Sequence, residues 1–302
     1  MRRPSRFLIG STFALLTLIW GTTWAAIRVN LDGIPPFTGL ALRFAVAAAL
    51  LFAAMRLFRV RFSRTADERR VWWLNALFSF FGSYGVVYWA EQWVPSGLAS
   101  ILFASFPLFV AIMAHFFLPG ESLSAAKTVG IMIGFAGVAV IFSEDFSKLG
   151  GGQVALASVV MLLAPASAAA GNVVVKKWGK GIHPFSVTAV PMAMAAVVMG
   201  ALAAMLERGR PVDLGVRPLA ALLYLAAFGS AVSFSLYYWL MSHTSATQVS
   251  LIAYATPVVA VVVGALFMNE PITLRTILGG LLVIVGVGTA MRSFPVGVED
   301  TP

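Results

Sequence analysis

The sequence predicts an all-α integral membrane protein of ten spanning helices, built from two inverted five-helix repeats. Three observations predict it. Of 302 residues, 60% are hydrophobic and only 11% charged, with a mean hydropathy of +0.90. No water-soluble core hides that much apolar surface, so the solvent is lipid. The apolar residues fall into ten runs close to the ~20 residues a spanning helix needs, joined by short polar connectors. Finally, one stretch occurs twice, about 150 residues apart. Tyr88-Trp89, Ser100, Pro107, Phe117 and Glu121 align with Tyr238-Trp239, Ser250, Pro257, Phe267 and Glu270. A mid-helix proline with an aromatic pair before it and a glutamate after it, all recurring together, marks a duplicated unit.

The runs follow in order. The first, 7–28, comes after Arg2, Arg3 and Arg6 and has the look of a signal peptide. It continues past Trp20 without a small-x-small cleavage site, so it reads as a span. Pro35-Pro36 precedes the second, 36–56, and the polar stretch Arg56 to Arg70 precedes the third, 71–90. Pro95-Ser96-Gly97 leads into the fourth, 97–118, and Ser124, read as a helix N-cap, into the fifth, 126–143. Gly150-Gly151-Gly152 opens the second copy. Its runs are 153–175, 184–206, 218–241, 246–268 and 273–291, set apart by Gly179 to Pro184, by Glu207 to Arg217 and by Pro271. The two units are residues 1–148 and 149–302.

Charge sets the orientation. The formal net charge is +9. Lysine and arginine crowd the connectors on the N-terminal side of the bilayer, among them Arg56, Arg59, Arg61, Arg64, Arg69, Arg70, Lys176, Lys177 and Lys180. The opposite side carries Arg28, Lys148, Arg208, Arg210, Arg217 and Arg275. The positive-inside rule then puts both termini in the cytoplasm. So placed, the basic residues are a topology signal and no nucleic acid is expected as partner. Five spans is an odd number, so the second copy lies upside down relative to the first. Two inverted units that enclose a central pocket are the ground plan of alternating-access carriers.

Polar and aromatic residues within the runs are the candidate contacts for a small-molecule substrate. Tyr84 and Tyr88 are four apart on one helix face. Tyr237, Tyr238 and Tyr254 occupy the matching runs, and Trp20 lies in the first. Each gives an apolar body with a polar tip, suited to aromatic or aliphatic amino acids; the alternative is an interfacial aromatic belt. Arg43 lies ~9 Å along its helix at 1.5 Å per residue. It either pairs, with Glu91 at a suitable depth, or binds a substrate carboxylate, or snorkels to the interface. Asn172 bonds substrate or joins helices. Ser100 and Ser250 are repeat mates that either face substrate or bond their own backbone. Pro107 and Pro257 are expected to kink their helices. Gly130 and Gly134 form a GxxxG packing face.

Trp20-Gly21-Thr22-Thr23 in the first run, Leu42-Arg43-Phe44 opening an alanine-rich second, and a proline-centred fourth ending at Glu121, all within a duplicated chain, resemble the EamA-type transporters of the drug/metabolite transporter superfamily. The resemblance spans residues 12–143 and 153–291. It implies a ten-helix carrier of the bacterial inner membrane, usually an exporter of amino acids or other small metabolites. It further implies that helices one to four and six to nine surround the cavity while the fifth and tenth lie outside. Arg43 aligns with Pro191, so the arginine has no counterpart in the second unit.

Other functions find less support. With no cysteine there is neither a disulfide framework nor a thiolate metal site, and no cofactor or metal is expected. An intramembrane enzyme needs a nucleophile with a base, or a metal cluster. The chain has no HExxH or GxSxG motif and three scattered histidines. A fixed channel favours a ring of like groups from an oligomer. The sequence leaves open whether the protein is a monomer or a homodimer.

Overall fold

The computed structural model describes residues 4–94, 96–146, 152–267 and 274–292. Among these residues there is no strand, and every predicted apolar run is helical. Helices α1 (Arg6–Leu31) and α2 (Pro36–Leu57) are followed by α3 (Ala66–Asn75), a π-helical segment (Ala76–Ser83) and α4 (Tyr84–Ala90), which run on without a break. Then come α5 (Ser96–Phe103), α6 (Phe106–Phe117) and α7 (Ala125–Phe146). The second half comprises α8 (Gly152–Met161), α9 (Leu163–Trp178), α10 (Pro184–Leu206) and α11 (Val216–Ala226). A second π-helical segment (Ala227–Val232) leads into α12 (Ser233–His243), then α13 (Ala246–Ser250), α14 (Ile252–Phe267) and α15 (Leu274–Arg292). Glu270, used in aligning the repeats, and Pro271, which sets apart the last run, lie outside the described residues.

Five helices, Arg6–Leu31, Pro36–Leu57, Leu156–Trp178, Pro184–Leu206 and Val216–His243, are long and apolar enough to cross a bilayer. Shorter apolar helices are Phe106–Phe117, Ala125–Val140, Ala246–Ala260 and Ile277–Ala290. Large apolar side chains such as Phe116, Leu156, Val197, Met205 and Ile284 project outward, which suits lipid.

The prolines act differently from the simple kinks expected. Pro107 sits in the first turn of α6, and the fourth run is cut in two at Ala104-Ser105. A proline ring clashes with the carbonyl four residues back, here that of Phe103, so the helix stops and restarts. The Ser105 hydroxyl donates to the Leu102 carbonyl at 2.7 Å. Pro257 stays inside α14, and the ninth run breaks earlier, at Leu251. The missing Pro257 N–H frees the Ala253 carbonyl, which accepts from the Thr256 hydroxyl at 3.1 Å. Pro191, inside α10, likewise frees the Val187 carbonyl, and Asn75 Nδ2 donates to it at 3.0 Å.

Glutamates join the halves at both ends. The Glu207 carboxylate accepts from the Phe37 and Thr38 amides, each at 2.8 Å, and from the Thr38 hydroxyl at 2.7 Å, at the start of α2. At the other end the Glu121 carboxylate accepts from the amides of Ala246, at 2.7 Å, and Thr247, at 3.2 Å, and from the Thr247 hydroxyl at 3.0 Å. Each carboxylate satisfies orphan donors of a helix start and complements its dipole.

Helices α7 and α15 pack backbone to backbone through Gly130, Gly137, Gly279 and Gly286. A Cβ built on Gly286 falls 2.4 Å from the Gly134 nitrogen and 2.8 Å from the Gly130 carbonyl oxygen. Backbone cannot yield as a side-chain tip can. Gly286→Ala is therefore expected to cost about 1–3 kcal/mol through overpacking, read as a lower unfolding temperature in detergent. Gly288→Ala, where an added Cβ meets nothing within 4 Å, is the control and is expected to unfold no earlier than the parent.

Candidate functional site

A cavity lies at the centre of the bundle, with walls from both halves. Trp20, Thr23 and Trp24 come from α1, Ser79 and Ser83 from the first π segment, and Tyr84 from α4. Across from them are Asn172 of α9, Phe234, Tyr237 and Tyr238 of α12, and Ser250 of α13. Rings cover most of the wall. Trp20 packs on Tyr237 at 5.1 Å between centroids and on Phe234 at 5.4 Å, and Tyr84 lies edge-on to Phe234 at 5.8 Å. The polar groups are neutral; the Ser83 hydroxyl has no partner, and others are tightly held. Both amide atoms of Asn172 contact the Tyr237 hydroxyl, at 2.6 and 2.9 Å. The Tyr238 hydroxyl donates to Asn75 Oδ1 at 3.0 Å, and Trp20 Nε1 donates to the Ser233 hydroxyl at 3.0 Å.

The two helix breaks open onto this cavity. Phe103 and Phe106 flank the break at Ala104-Ser105, and Ser250 and Ile252 flank the one at Leu251; all four line the wall. Broken helices present free backbone groups and dipole ends, the means by which many carriers hold the charged ends of a small molecule.

Trp20, Tyr84, Asn172, Tyr237 and Tyr238 thus meet at one site, as expected of substrate contacts. Arg43, Tyr88, Ser100 and Tyr254 do not line it. Arg43 is fully buried, so it does not snorkel. Its predicted partner Glu91 is not the one it uses. Nε donates to the Ser230 hydroxyl at 2.8 Å, Nη1 to the Tyr88 hydroxyl at 3.2 Å and Nη2 to the Gly229 carbonyl at 3.1 Å. The guanidinium also lies 4.9 Å from the Tyr84 ring centroid, a cation–π contact. Tyr88 is committed to Arg43 behind the cavity wall. Tyr254 is turned toward α7, where a Cβ on Gly134 would meet its ring at 3.1 Å. Ser100 is buried off the cavity, while Ser250 lines it and donates to its own helix, to the Thr247 carbonyl at 2.8 Å.

Comparison with known proteins places this architecture. The model of the EamA-like transporter family matches residues 8–143 and again 155–292. The chain belongs to the EamA-like transporter family. It is 29% identical over 273 residues to the uncharacterized transporter YoaV of Bacillus subtilis strain 168, covering 90% of this chain and 92% of that one. Over 260 residues it is 30% identical to the uncharacterized inner membrane transporter YedA of Escherichia coli strain K12, with 85% and 81% covered. A crystal structure at 20% identity superposes with a TM-score of 0.80 over 95% of this chain and 98% of its own. EamA-like membership makes this a multi-pass membrane protein and a transporter of small molecules.

Sequence reading missed two features of this EamA-like chain. The first is the pair of π segments, which place Ser79 and Ser83 on the cavity and free Gly229 and Ser230 for Arg43. Such segments concentrate at functional sites. Their signal is a shared triplet, Phe81-Gly82-Ser83 and Phe228-Gly229-Ser230. The second is Asn75, a fully buried side chain that joins α3, α10 and α12 by bonding the Val187 carbonyl and the Tyr238 hydroxyl. Nothing in the local sequence around Asn75 announces it, because its need arises from Pro191.

Proposed function

We propose that the protein is an alternating-access carrier that exports small metabolites, with aromatic or hydrophobic amino acids as the cargo class. In this reading ten spans form two inverted repeats in a bacterial inner membrane, with both termini in the cytoplasm. The observation that carries it is the ring-lined cavity into which the two broken helices open. Rings take the apolar side chain. The start of α14, beyond the break at Leu251, offers partial positive charge to a carboxylate, and π-segment carbonyls suit an ammonium group. A second reading, export of uncharged organic compounds, draws on a different fact: none of the side chains lining the cavity is charged.

The test is flux of labelled L-tryptophan and L-phenylalanine in proteoliposomes. A carrier saturates and supports counterflow; flux without saturation identifies a channel, and chemical conversion an enzyme. Failure of both amino acids, with saturable flux of a neutral aromatic compound, selects the second reading. Within the first, Asn172→Ala and Tyr237→Phe each remove one side of a buried hydrogen-bonded pair beside the cargo. Each is expected to raise the half-saturating concentration about tenfold, the equivalent of ~1.4 kcal/mol, with insertion and yield unchanged.

A further inference from the structure

Glu91 is the C-cap of α4 and is fully buried. Neither of its carboxylate oxygens has a hydrogen-bond partner. Glu121 and Glu207, by contrast, each accept three hydrogen bonds. The ionisable groups facing Glu91 are Arg28 from α1, Arg43 from α2 and Tyr88 from its own helix. α8, which packs against α4, brings no ionisable residue, and the lysines of α9 lie at its far end. Both arginines are engaged elsewhere. Arg28 donates to the backbone carbonyl of Glu91 at 3.0 Å and lies 3.9 Å from Asp32. Each nitrogen of Arg43 donates elsewhere, to Ser230, Tyr88 and Gly229.

A bare carboxylate with no donor in an apolar interior is too costly to persist. We infer that Glu91 is a proton-binding site, occupied in this conformation. The geometry also supplies a release mechanism. Arg43 and Glu91 both belong to the first half, whereas Ser230 and Gly229 belong to the second. When the halves rock apart, Arg43 loses two of its three bonds and its guanidinium becomes free for Glu91. The carboxyl O–H bond then breaks, the electron pair stays on the oxygen as an Arg43-paired carboxylate, and the proton passes to water. The proton then leaves by way of the vestibule lined by Arg28, Gln92 and Arg210, whose Arg28 donates to the Glu91 carbonyl; Glu91 itself is closed off from it in this conformation. The coupling of proton release to transport rests on the carrier reading; the proton site itself does not, and it is tested without cargo.

The experiment compares infrared spectra of the purified protein in lipid films at neutral and alkaline pH. The parent is expected to show a protonated-carboxyl band that is lost on alkalinisation and absent from Glu91→Gln, and Asp67→Asn, an exposed control, is expected to keep it. Identical spectra for the parent and Glu91→Gln would overturn the site. A band that stays unchanged on alkalinisation in the parent would also overturn it. Should Glu91→Gln fail to fold, the parent alone suffices. Dicyclohexylcarbodiimide adds to protonated carboxyls in apolar surroundings, and peptide mass spectrometry is expected to find it on Glu91, falling about tenfold per pH unit above the midpoint. Labelling of Glu121 in preference to Glu91 contradicts the proposal.

Discussion

Arg43→Ala is expected to lower the stability of the folded protein by about 3 kcal/mol or more, the sum of two effects of unequal size. Arg43 is among the largest fully buried side chains, and its removal leaves a cavity. Truncation of large buried side chains typically costs roughly 2–5 kcal/mol. The hydrogen bonds add less, since bonds between membrane helices average only about 0.6 kcal/mol. Opposing both is the relief of no longer burying a cation, but that relief is small here because every guanidinium nitrogen is bonded and a ring face lies beneath the charge. The variants separate the effects. Arg43→Met keeps most of the volume and is expected to recover most of the loss. Arg43→Lys keeps charge but not the planar fork, and is expected to fall between Met and Ala. Thermal unfolding in detergent reads the order. An Ala variant that unfolds with the parent would mean that the junction between α2 and the second π segment contributes nothing.

Arg43 also illustrates what the sequence made legible and what it did not. Its depth in an apolar run was plain, so burial or pairing followed from the cost of a charge in lipid. Its partners were not plain. Two of them are a serine hydroxyl and a backbone carbonyl exposed only because a helix widens by one residue per turn, 187 positions along the chain in the case of Ser230. Glu91 looked like the answer because matching charges at matching depth is the only electrostatic rule a sequence offers. The cavity followed the same pattern. Trp20, Tyr84, Asn172 and the Tyr237-Tyr238 pair announced themselves as polar or aromatic residues inside apolar runs. Tyr254 sent the same signal and faces away, since one residue of helix rotation decides which wall a side chain joins.

Pro107 and Pro257 reveal a subtler limit. The missing donor of a proline is visible in sequence, but the chain has two ways to accommodate it. Around Pro107 the helix stops and begins again. Around Pro257 it continues, with Thr256 covering the freed carbonyl, and the interruption moves to Leu251. Which outcome occurs depends on a hydroxyl one residue away and on what packs beside it. The consequence matters more than the kink would have, because both interruptions border the cavity.

The two glutamate clamps lead to the other large expected effect, on conformation and not on folding. Glu121, from the first half, holds the start of α13; Glu207, from the second, holds the start of α2 at the opposite end. Loss of such a cap costs about 1–2 kcal/mol. That shifts a two-state population about 5–30-fold. Glu121→Ala is expected to favour conformers open at its own end, and Glu207→Ala those open at the other. The natural chain has no cysteine, so Ser250→Cys supplies a single reporter on the cavity wall. Labelling by an impermeant maleimide, added to one face of sealed vesicles at a time, then measures access. Glu121→Ala should quicken labelling from the Glu121 side by about the same 5–30-fold factor and slow it from the other; Glu207→Ala should do the reverse. Reciprocal changes require that the cavity open to one side at the expense of the other. If instead both variants speed labelling from both faces alike, the clamps only hold helices together, and the cavity is a pore with two loose ends.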